Sequence, residues 1–393
     1  MKIAIVCGHF LPELGFIEVY LAKEYSKVNH EVKVFTSSVI PKYVRGIVKK
    51  KKVDDRSEQI VTKEYSVLRL KPIISLGQMI YVRNLIKHVH QFNPEIVIVI
   101  GVGKLFPESL YTRKDKSYKL ITLLGDSSDN YLSNKLKVVE YVKNKLKQKV
   151  YQKAIKFSDK LLPYTPETIG LVKGIVDQKY HSELVAKSNP ISLGFDSEIY
   201  HYQPKLRSLE RKKLNIPYDA RVLITATRIV PNKRLEKVID WVEEMNRLNK
   251  PVYYIIVGFL ENDYSEWVKR YIKSKKYKDK FYCYPFLNHS ELNKLFMVAD
   301  IAFYPTAAIT IFETIATGLL AVLPDKKNIN HIVDDEKTGW YIRNGKLKEA
   351  FMKAYDALND PHFDREKIAR INEEKYAFKN IAKRILDIGL SVN

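Results

Sequence analysis

Short apolar runs alternate with longer stretches of helical periodicity along the first half of this chain, and this alternation restricts the fold more than any other feature. Each strand-like run is followed by a stretch whose apolar residues recur every three or four positions. The pattern is typical of a doubly wound parallel α/β sheet. We predict strands at residues 2–8, 31–38, 65–70, 95–101, 119–124 and 160–164, and helices at 15–30, 78–91 and 168–179.

The same alternation begins again after residue 200. Periodicity is lost from Leu184 to Pro204, so we place a domain boundary near residue 200. Two such domains in tandem are expected to form a cleft between the carboxyl ends of their sheets, where sheets of this kind bind ligands. The second series predicts strands at 222–227, 253–257, 280–284 and 301–304, and helices at 235–249, 264–275, 290–298 and 311–317.

The composition is that of a globular protein that attracts anions. Hydrophobic residues make up 46% of the chain, and 67 Lys and Arg against 45 Asp and Glu give a net charge of +22. This charge favours nucleic acid, an anionic membrane surface or phosphorylated substrates, and it does not choose among them. The chain has no basic motif with interleaved aromatic residues, so specific nucleic-acid binding is not expected.

Neither a disulfide framework nor a metal site is expected from the two cysteines, Cys7 and Cys283, which lie in strand-like runs. We interpret Cys7 as a small core residue rather than a reactive thiol. No apolar run reaches the roughly 18 residues of a membrane-spanning helix, and the opening residues turn too soon into a loop to be a signal peptide. We therefore expect a cytoplasmic protein.

The segment from Asn134 to Lys160 combines an apolar stripe with a strongly basic remainder. It is either a packed helix with a solvated basic back or a helix that docks on anionic lipid, where each lysine adds about 1 kcal/mol. In the second interpretation Tyr141 and Tyr151 would suit the membrane interface. The stripe comprises Leu136, Val139, Val142, Leu146, Val150, Ala154 and Phe157, and the lysines are Lys135, Lys137, Lys143, Lys145, Lys147, Lys149, Lys153 and Lys156.

Three cations follow the first strand of the second series. Arg228 comes directly after the strand, and Lys233 and Arg234 lie just before a helix. Arginine offers a fork of donors and lysine a point charge, so this loop favours an anion with two phosphates. The alternative is a polar loop with exposed cations.

A single carboxylate, Glu313, lies within the apolar sequence Ile-Phe-Glu-Thr-Ile. An ionised carboxylate among apolar neighbours costs several kcal/mol unless donors hydrogen-bond to it. Glu313 is either a ligand contact or a helix-start glutamate near the positive end of the helix dipole.

Taken together, these stretches resemble the retaining glycosyltransferases of family 4, which have the GT-B fold of two Rossmann-like domains. The resemblance covers nearly the whole chain and rests on six motifs in order. They are PELGFIE (12–18), ISLGFDSEIYH (191–201), TATRIVPNKRLEKVID (225–240), VADIAFYPT (298–306), FETIATGLLAV (312–322) and TGWYI (338–342).

The resemblance implies roles for several residues. Arg228 and Lys233 match the pair that grips the donor diphosphate, and Glu313 matches the glutamate that accepts hydrogen bonds from the donor ribose. Fixed cations stabilise the charge that develops on a departing diphosphate, so no metal is required. The donor would also be contacted by the backbone of Ala308, Ile309 and Thr310, by Gly15 in the first loop, and by Phe286 and Leu287 at the base, for which a core role is equally open.

The chain departs from the family pattern at three places. Pro305 stands where a second glutamate is usual, so the loop is shortened and the sugar contacts differ. Asp126 ends a first-domain strand where many members have a histidine, and it either orients the sugar or acceptor hydroxyl or caps a helix. The first loop has Gly15-Phe16 in place of two glycines, so the donor phosphate is approached less closely.

The resemblance implies an acceptor-side domain at 1–200, a donor-binding domain at 201–372 and a closing helical segment at 373–393 that returns to the first domain. The function expected is retaining transfer of a sugar from a UDP- or GDP-sugar to a lipid-linked or polysaccharide acceptor at the cytoplasmic membrane face. A nucleotide-sugar epimerase, a non-catalytic relative and a basic nucleic-acid-binding protein are the alternatives.

Overall fold

The computed structural model describes residues 1–12, 15–41, 58–76, 79–112, 116–126 and 137–391. The chain divides into two compact units. The first unit consists of Met1–Leu193 together with Phe378–Asn393, and the second unit is Gly194–Ala377. Residues 13–14 of the first motif and residues 134–136 of the basic segment lie outside the described residues.

The first unit is built on a mostly parallel sheet. Its described strands follow the order β3-β4-β2-β1-β7-β8-β9, and only the β3–β4 pair is antiparallel. A separate antiparallel hairpin is formed by β5 and β6. The strands are β1 (Lys2–Cys7), β2 (Glu31–Ser37), β3 (Glu58–Val61), β4 (Ser66–Leu70), β5 (Pro72–Leu76), β6 (Met79–Val82), β7 (Ile96–Ile100), β8 (Lys119–Leu124) and β9 (Lys160–Pro163).

Helices cover this sheet, and the last helix of the chain is one of them. The helices are α1 (Ile17–Lys27), α2 (Leu85–Phe92), α3 (Lys137–Phe157), α4 (Pro166–Lys173), α5 (His181–Lys187) and, from the end of the chain, α13 (Phe378–Leu390). Tyr20 of α1 stacks on Phe378 with ring centroids 4.4 Å apart, and Tyr25 donates a hydrogen bond of 3.2 Å to the Ala382 carbonyl. A Cβ at Gly389 would overlap the Ile121 side chain, so glycine permits the close approach of α13 to the sheet.

The predicted helix at 78–91 is wrong in its first part. The structure has strand β6 there, and α2 begins only at Leu85. The side chains alternate, because Ile80 and Val82 are buried while Tyr81 is exposed, and alternation is the period of a strand. Asn84 then adopts a left-handed conformation with φ of 62°, which separates the strand from the helix.

The second unit is built on a fully parallel sheet in the order β12-β11-β10-β13-β14-β15. All eight residues of β11 are buried, as expected for a central strand covered on both faces. The strands are β10 (Arg221–Ala226), β11 (Val252–Phe259), β12 (Phe281–Pro285), β13 (Ile301–Phe303), β14 (Leu320–Pro324) and β15 (Gly339–Ile342).

The helices of the second unit enclose that sheet. They are α6 (Pro204–Lys213), α7 (Glu236–Arg247), α8 (Asp263–Lys273), α9 (His289–Val298), α10 (Thr310–Ile315), α11 (Leu347–Ala357) and α12 (Arg365–Tyr376). Trp241 of α7 stacks on Phe351 of α11 with centroids 4.6 Å apart. This aromatic contact joins two helices that cover the sheet.

A buried carboxylate, Asp300, ties helix α6 to the sheet. Its Oδ2 accepts hydrogen bonds from the Arg211 guanidinium at 2.7 Å and from the Val222 amide at 2.8 Å, and Arg207 pairs with Oδ1. Burial alone would raise the pKa of Asp300, but the neighbouring arginines hold it below its ordinary value. Asp300 therefore stays ionised in the interior.

Candidate functional site

The loop after β10 is held against the neighbouring strand by backbone hydrogen bonds. The Thr227 amide donates to Val257 at 3.1 Å, and the Ile229 amide donates to Gly258 at 3.0 Å. Gly258 has φ of 110°, and a Cβ there would overlap the Thr227 carbonyl oxygen. Arg228 lies between these two bonds with an exposed side chain, so its backbone is fixed while its guanidinium faces solvent.

Lys233 links the same loop to the segment that follows β13. It ends a 3₁₀ turn, Pro231–Lys233, and its ammonium group donates a hydrogen bond to the Thr306 hydroxyl. The two predicted cations thus belong to one loop at the carboxyl edge of the second sheet.

A second link attaches the start of helix α10 to the end of β10. The Thr310 hydroxyl donates to the Ala226 carbonyl at 2.9 Å, and the Tyr304 hydroxyl donates to the Thr310 carbonyl at 3.1 Å. The helix that carries Glu313 therefore begins directly beside the strand that leads to Arg228. The structure brings these predicted site residues to one edge of the sheet.

Glu313 lies in the first turn of α10, as the helix-start alternative predicted, but it is buried, because only 5% of it is exposed. Burial raises the pKa of its carboxyl group to about 7, and a hydrogen bond from Tyr200 opposes that rise. The Tyr200 hydroxyl also lies 2.6 Å from His289 Nδ1, and that nitrogen is 3.7 Å from Glu313 Oε1. The structure thus contains a cluster of Glu313, Tyr200 and His289.

No role is predicted for Tyr200 or His289 from the sequence. Tyr200 lies in a stretch that contributed to the family resemblance, so a signal was present. His289 opens α9 directly after the capping residue Asn288, whose side chain accepts a hydrogen bond from the Glu291 amide at 3.0 Å. A histidine at a helix start has no distinctive pattern, so only the fold brings it near Glu313.

Two residues that were predicted to contact the nucleotide base follow strand β12 at the same edge of the sheet. Phe286 is 62% exposed and Leu287 is half-buried. The alternative of a core role is therefore wrong for Phe286. Its exposed ring is available to stack on a planar ligand.

The predicted residues of the first unit lie at its own sheet edge. Gly15 has φ of 60° and precedes α1. Glu18, in the first turn of α1, is buried, and burial raises the pKa of its carboxyl group to about 7. No role is predicted for Glu18 from the sequence. Cys7 is buried, as expected for a core residue, and burial raises the pKa of its thiol.

Asp126 follows β8 and is engaged by helix α3. Its carboxylate accepts a hydrogen bond from Lys147 at 2.8 Å and another from the Tyr151 hydroxyl, while the Thr168 hydroxyl donates to its carbonyl at 2.9 Å. The suggestion that Tyr151 lies at a membrane interface is wrong, since it is 1% exposed and bonded to Asp126. The side chain of Tyr141 lies outside the described part of the chain.

The described ranges contain no group of three or more His, Cys, Asp or Glu side chains placed to hold a metal ion. Within the same ranges, no helix combines the length and the apolar character needed to cross a bilayer.

The fold is GT-B, as comparison with solved structures shows. The structure of Anabaena HepE in complex with UDP matches with a TM-score of 0.67 and 16% identity over 98% of this chain and 99% of that one. WaaG, a glycosyltransferase involved in lipopolysaccharide biosynthesis, matches with a TM-score of 0.64 and 14% identity over 99% and 100% of the two chains. At these identities the likeness establishes the fold.

Sequence comparisons match part of the chain to known glycosyltransferases. Residues 207–377 match the family of glycosyl transferases group 1, which is a class of enzymes. Lipopolysaccharide 1,2-N-acetylglucosaminetransferase from Salmonella typhimurium is 24% identical over 205 residues, which are 49% of this chain and 53% of that protein. The match thus spans about half the length of that relative. The candidate site of Arg228, Lys233 and Glu313 lies within the group 1 region.

Proposed function

We propose that this protein is a retaining glycosyltransferase of family 4 that transfers a sugar from a UDP- or GDP-sugar to a lipid-linked or polysaccharide acceptor at the cytoplasmic face of a membrane. One observation carries the proposal. The loop of Arg228 and Lys233 and the helix of Glu313 are joined by hydrogen bonds through Thr306 and Thr310 at one sheet edge. This edge is where parallel α/β sheets bind their ligands.

The two cations act on the departing diphosphate. Cleavage of the sugar–phosphate bond leaves negative charge on the nucleotide diphosphate, and fixed cations lower the energy of that state without reorganising. Arg228 offers a fork of donors from a fixed backbone, and Lys233 adds a point charge. This pair supplies the charge, so the proposed reaction requires no metal.

Glu313 acts on the ribose. A buried carboxylate with a pKa near 7 is poorly solvated, and the two ribose hydroxyls are donors that match its unused lone pairs. Binding the nucleotide would therefore stabilise the ionised form of Glu313. Tyr200, which hydrogen-bonds to Glu313, holds the carboxylate in position for this contact.

The named relatives support the substrate classes. HepE is seen with UDP, so UDP is the first nucleotide to test. The Salmonella relative and WaaG are named for lipopolysaccharide synthesis, which favours a glycolipid or polysaccharide acceptor. We place the acceptor side in the first unit, where Asp126 would orient the sugar or acceptor hydroxyl from its contacts with Lys147 and Tyr151.

Nucleotide binding tests the donor site. Titration calorimetry with UDP and GDP should detect binding of at least one nucleotide to the wild type, and Arg228→Ala and Lys233→Ala should each weaken it about 10- to 150-fold, since a charge-assisted hydrogen bond contributes about 1.5 to 3 kcal/mol. Arg247→Ala is the matched control, because Arg247 is an exposed arginine at the far end of α7. Failure of the wild type to bind either nucleotide would contradict the proposal.

The reaction itself needs a second assay. A UDP-sugar or GDP-sugar incubated with the protein should be hydrolysed slowly or transferred, and NMR of the product should show the anomeric configuration of the donor. An epimerised nucleotide sugar would identify an epimerase instead. Tight nucleotide binding with no turnover of any donor, with or without acceptor, would identify a non-catalytic relative.

A further inference from the structure

A cavity of about 500 Å³ lies in the first unit beside the carboxyl-terminal half of α3. It is bounded by that helix, by the β5–β6 hairpin and by the 3₁₀ turn Glu108–Thr112. Its lining is predominantly apolar and includes the side chains of Tyr81, Leu105, Leu146, Val150, Phe157 and Tyr180. A cavity of this volume and lining suits a small apolar ligand or one hydrocarbon chain.

The rim of the cavity is basic. Lys149, Lys153 and Lys156 of α3 line it, and Glu108, which pairs with Lys153, supplies the one carboxylate among the lining residues described. Lys149 and Lys156 are exposed. The ammonium group of Lys156 lies 5.5 Å from the centroid of the Phe157 ring, so its stem runs along the apolar wall while its charge faces solvent. The rim thus offers two cations, Lys149 and Lys156, in addition to the ion pair of Lys153 and Glu108.

The hairpin beside the cavity exposes large apolar side chains. Ile73 is 51% exposed, Ile74 is 45% exposed and Tyr81, which lines the cavity, is 37% exposed. Ile74 and Tyr81 are paired across the hairpin. Exposed Lys71 and Arg83 lie just outside its two strands. Aliphatic and aromatic side chains flanked by cations have the composition of a surface that contacts the membrane interface.

We propose that the cavity binds one acyl chain of an anionic membrane lipid, with the lipid phosphate against Lys149 and Lys156 and the hairpin in the membrane interface. The apolar lining matches the chain, and the basic rim matches the headgroup. A nucleic acid would match the rim alone. The lining of this lipid site belongs to the first unit and the proposed donor site to the second, so each proposal can hold or fail without the other.

Vesicle binding tests the charge requirement. Sedimentation with vesicles of phosphatidylcholine mixed with phosphatidylglycerol should recover the protein, and pure phosphatidylcholine vesicles should not. The double variant Lys149→Glu with Lys156→Glu should weaken partitioning at least about 25-fold, since each lysine near an anionic surface contributes roughly fivefold. The matched control is Lys63→Glu with Lys119→Glu, which changes the net charge equally at two exposed lysines of the first unit outside the cavity. Equal losses in both pairs would overturn the proposal in favour of a diffuse charge effect.

The chain pocket needs a separate variant. Leu146 lines the cavity and is 36% exposed, so Leu146→Asp should fold and should weaken vesicle binding about tenfold or more by removing apolar contact with the chain. Val28→Asp is the control, because Val28 is an exposed apolar residue of the first unit outside the cavity. An unchanged far-UV circular dichroism spectrum and an unchanged urea unfolding midpoint in each variant would show that the protein is folded. Unchanged vesicle binding by Leu146→Asp would overturn the proposal.

A fluorescent reporter locates the chain. The three tryptophans, Trp241, Trp267 and Trp340, all lie in the second unit, so Tyr81→Trp places the only indole of the first unit at the cavity. Anionic vesicles whose lipids carry bromine on the acyl chains should quench this added fluorescence. Soluble glycerol phosphate should neither bind at the same concentrations nor alter the emission. Vesicle binding without quenching, or equal binding of glycerol phosphate, would contradict insertion of a chain.

Discussion

Replacing Glu313 by glutamine should stabilise the second unit at alkaline pH while it weakens nucleotide binding. The folded protein holds the proton of Glu313 more tightly than the unfolded chain, since burial raises its pKa from 4.5 to about 7. Stability from this raised pKa is fully present below pH 4.5 and is lost as pH rises through 7. The difference between the two pKa values lowers the free energy of unfolding by about 3 kcal/mol at pH 8, compared with a residue that stays neutral.

Glu313→Gln removes that cost, because the amide is neutral at every pH and can still hydrogen-bond to Tyr200. The variant should therefore exceed the wild type in free energy of unfolding by about 3 kcal/mol at pH 8 and by less than about 1 kcal/mol at pH 5. Urea titrations followed by tryptophan fluorescence measure this difference in the relevant unit, because all three tryptophans lie in the second unit.

Glu261→Gln is the control for charge removal, since Glu261 is an exposed glutamate of the same unit. The free energy of unfolding of this variant should differ little from that of the wild type, and the difference should be nearly independent of pH. A Glu313→Gln variant that is less stable than the wild type at pH 8, or whose advantage is equal at pH 5 and pH 8, would refute the argument. Such a result would mean that the carboxylate is already well solvated or paired without a nucleotide.

Three further predictions concern the same unit. The UDP affinity of the wild type, measured by calorimetry, should fall about tenfold from pH 8 to pH 6, because the carboxylate of Glu313 loses its charge as pH falls through 7. The affinity of Glu313→Gln should change less over the same pH range. Gly258→Ala should destabilise the second unit and weaken UDP binding, because its Cβ would overlap the Thr227 carbonyl. Gly345 also has a positive φ, of 72°, but lies in open space, so Gly345→Ala should cost only about 1 kcal/mol and leave binding intact. Asp300→Asn should lower the unfolding free energy by about 3 to 5 kcal/mol in the same urea assay, since it leaves buried arginines without their counter-charge. The control Asp356→Asn, at an exposed site, should change the unfolding free energy little.

Pattern reasoning predicted the central strands well and the peripheral elements poorly. The strands predicted at 119–124 and 301–304 are confirmed to within a residue, because buried parallel strands are uninterrupted apolar runs. Strand β6 was mistaken for a helix, and β3, β5, β14 and α6 were not predicted as elements. The segments β3, β5, β6 and α6 are short or partly exposed, so their identity depends on neighbours that are distant in sequence. Strand β14 differs from them, because it is a buried apolar run and was missed despite that pattern.

The candidate site groups of the second unit can be recognised from the sequence alone. Arg228 and Lys233 follow a strand and precede a helix within one short stretch, and Glu313 lies in a recognisable motif. Each is visible locally because a loop and the elements beside it are contiguous in the chain.

The way in which these residues are held depends on the folded structure. The hydrogen bond from Thr310 to Ala226 and the contacts of Glu313 with Tyr200 and His289 join segments far apart in sequence. Burial of Glu313, which raises its pKa, is likewise produced by the packing of several elements and has no local signature. Sequence motifs record which groups are present, whereas distance and solvent exclusion arise only when the chain folds.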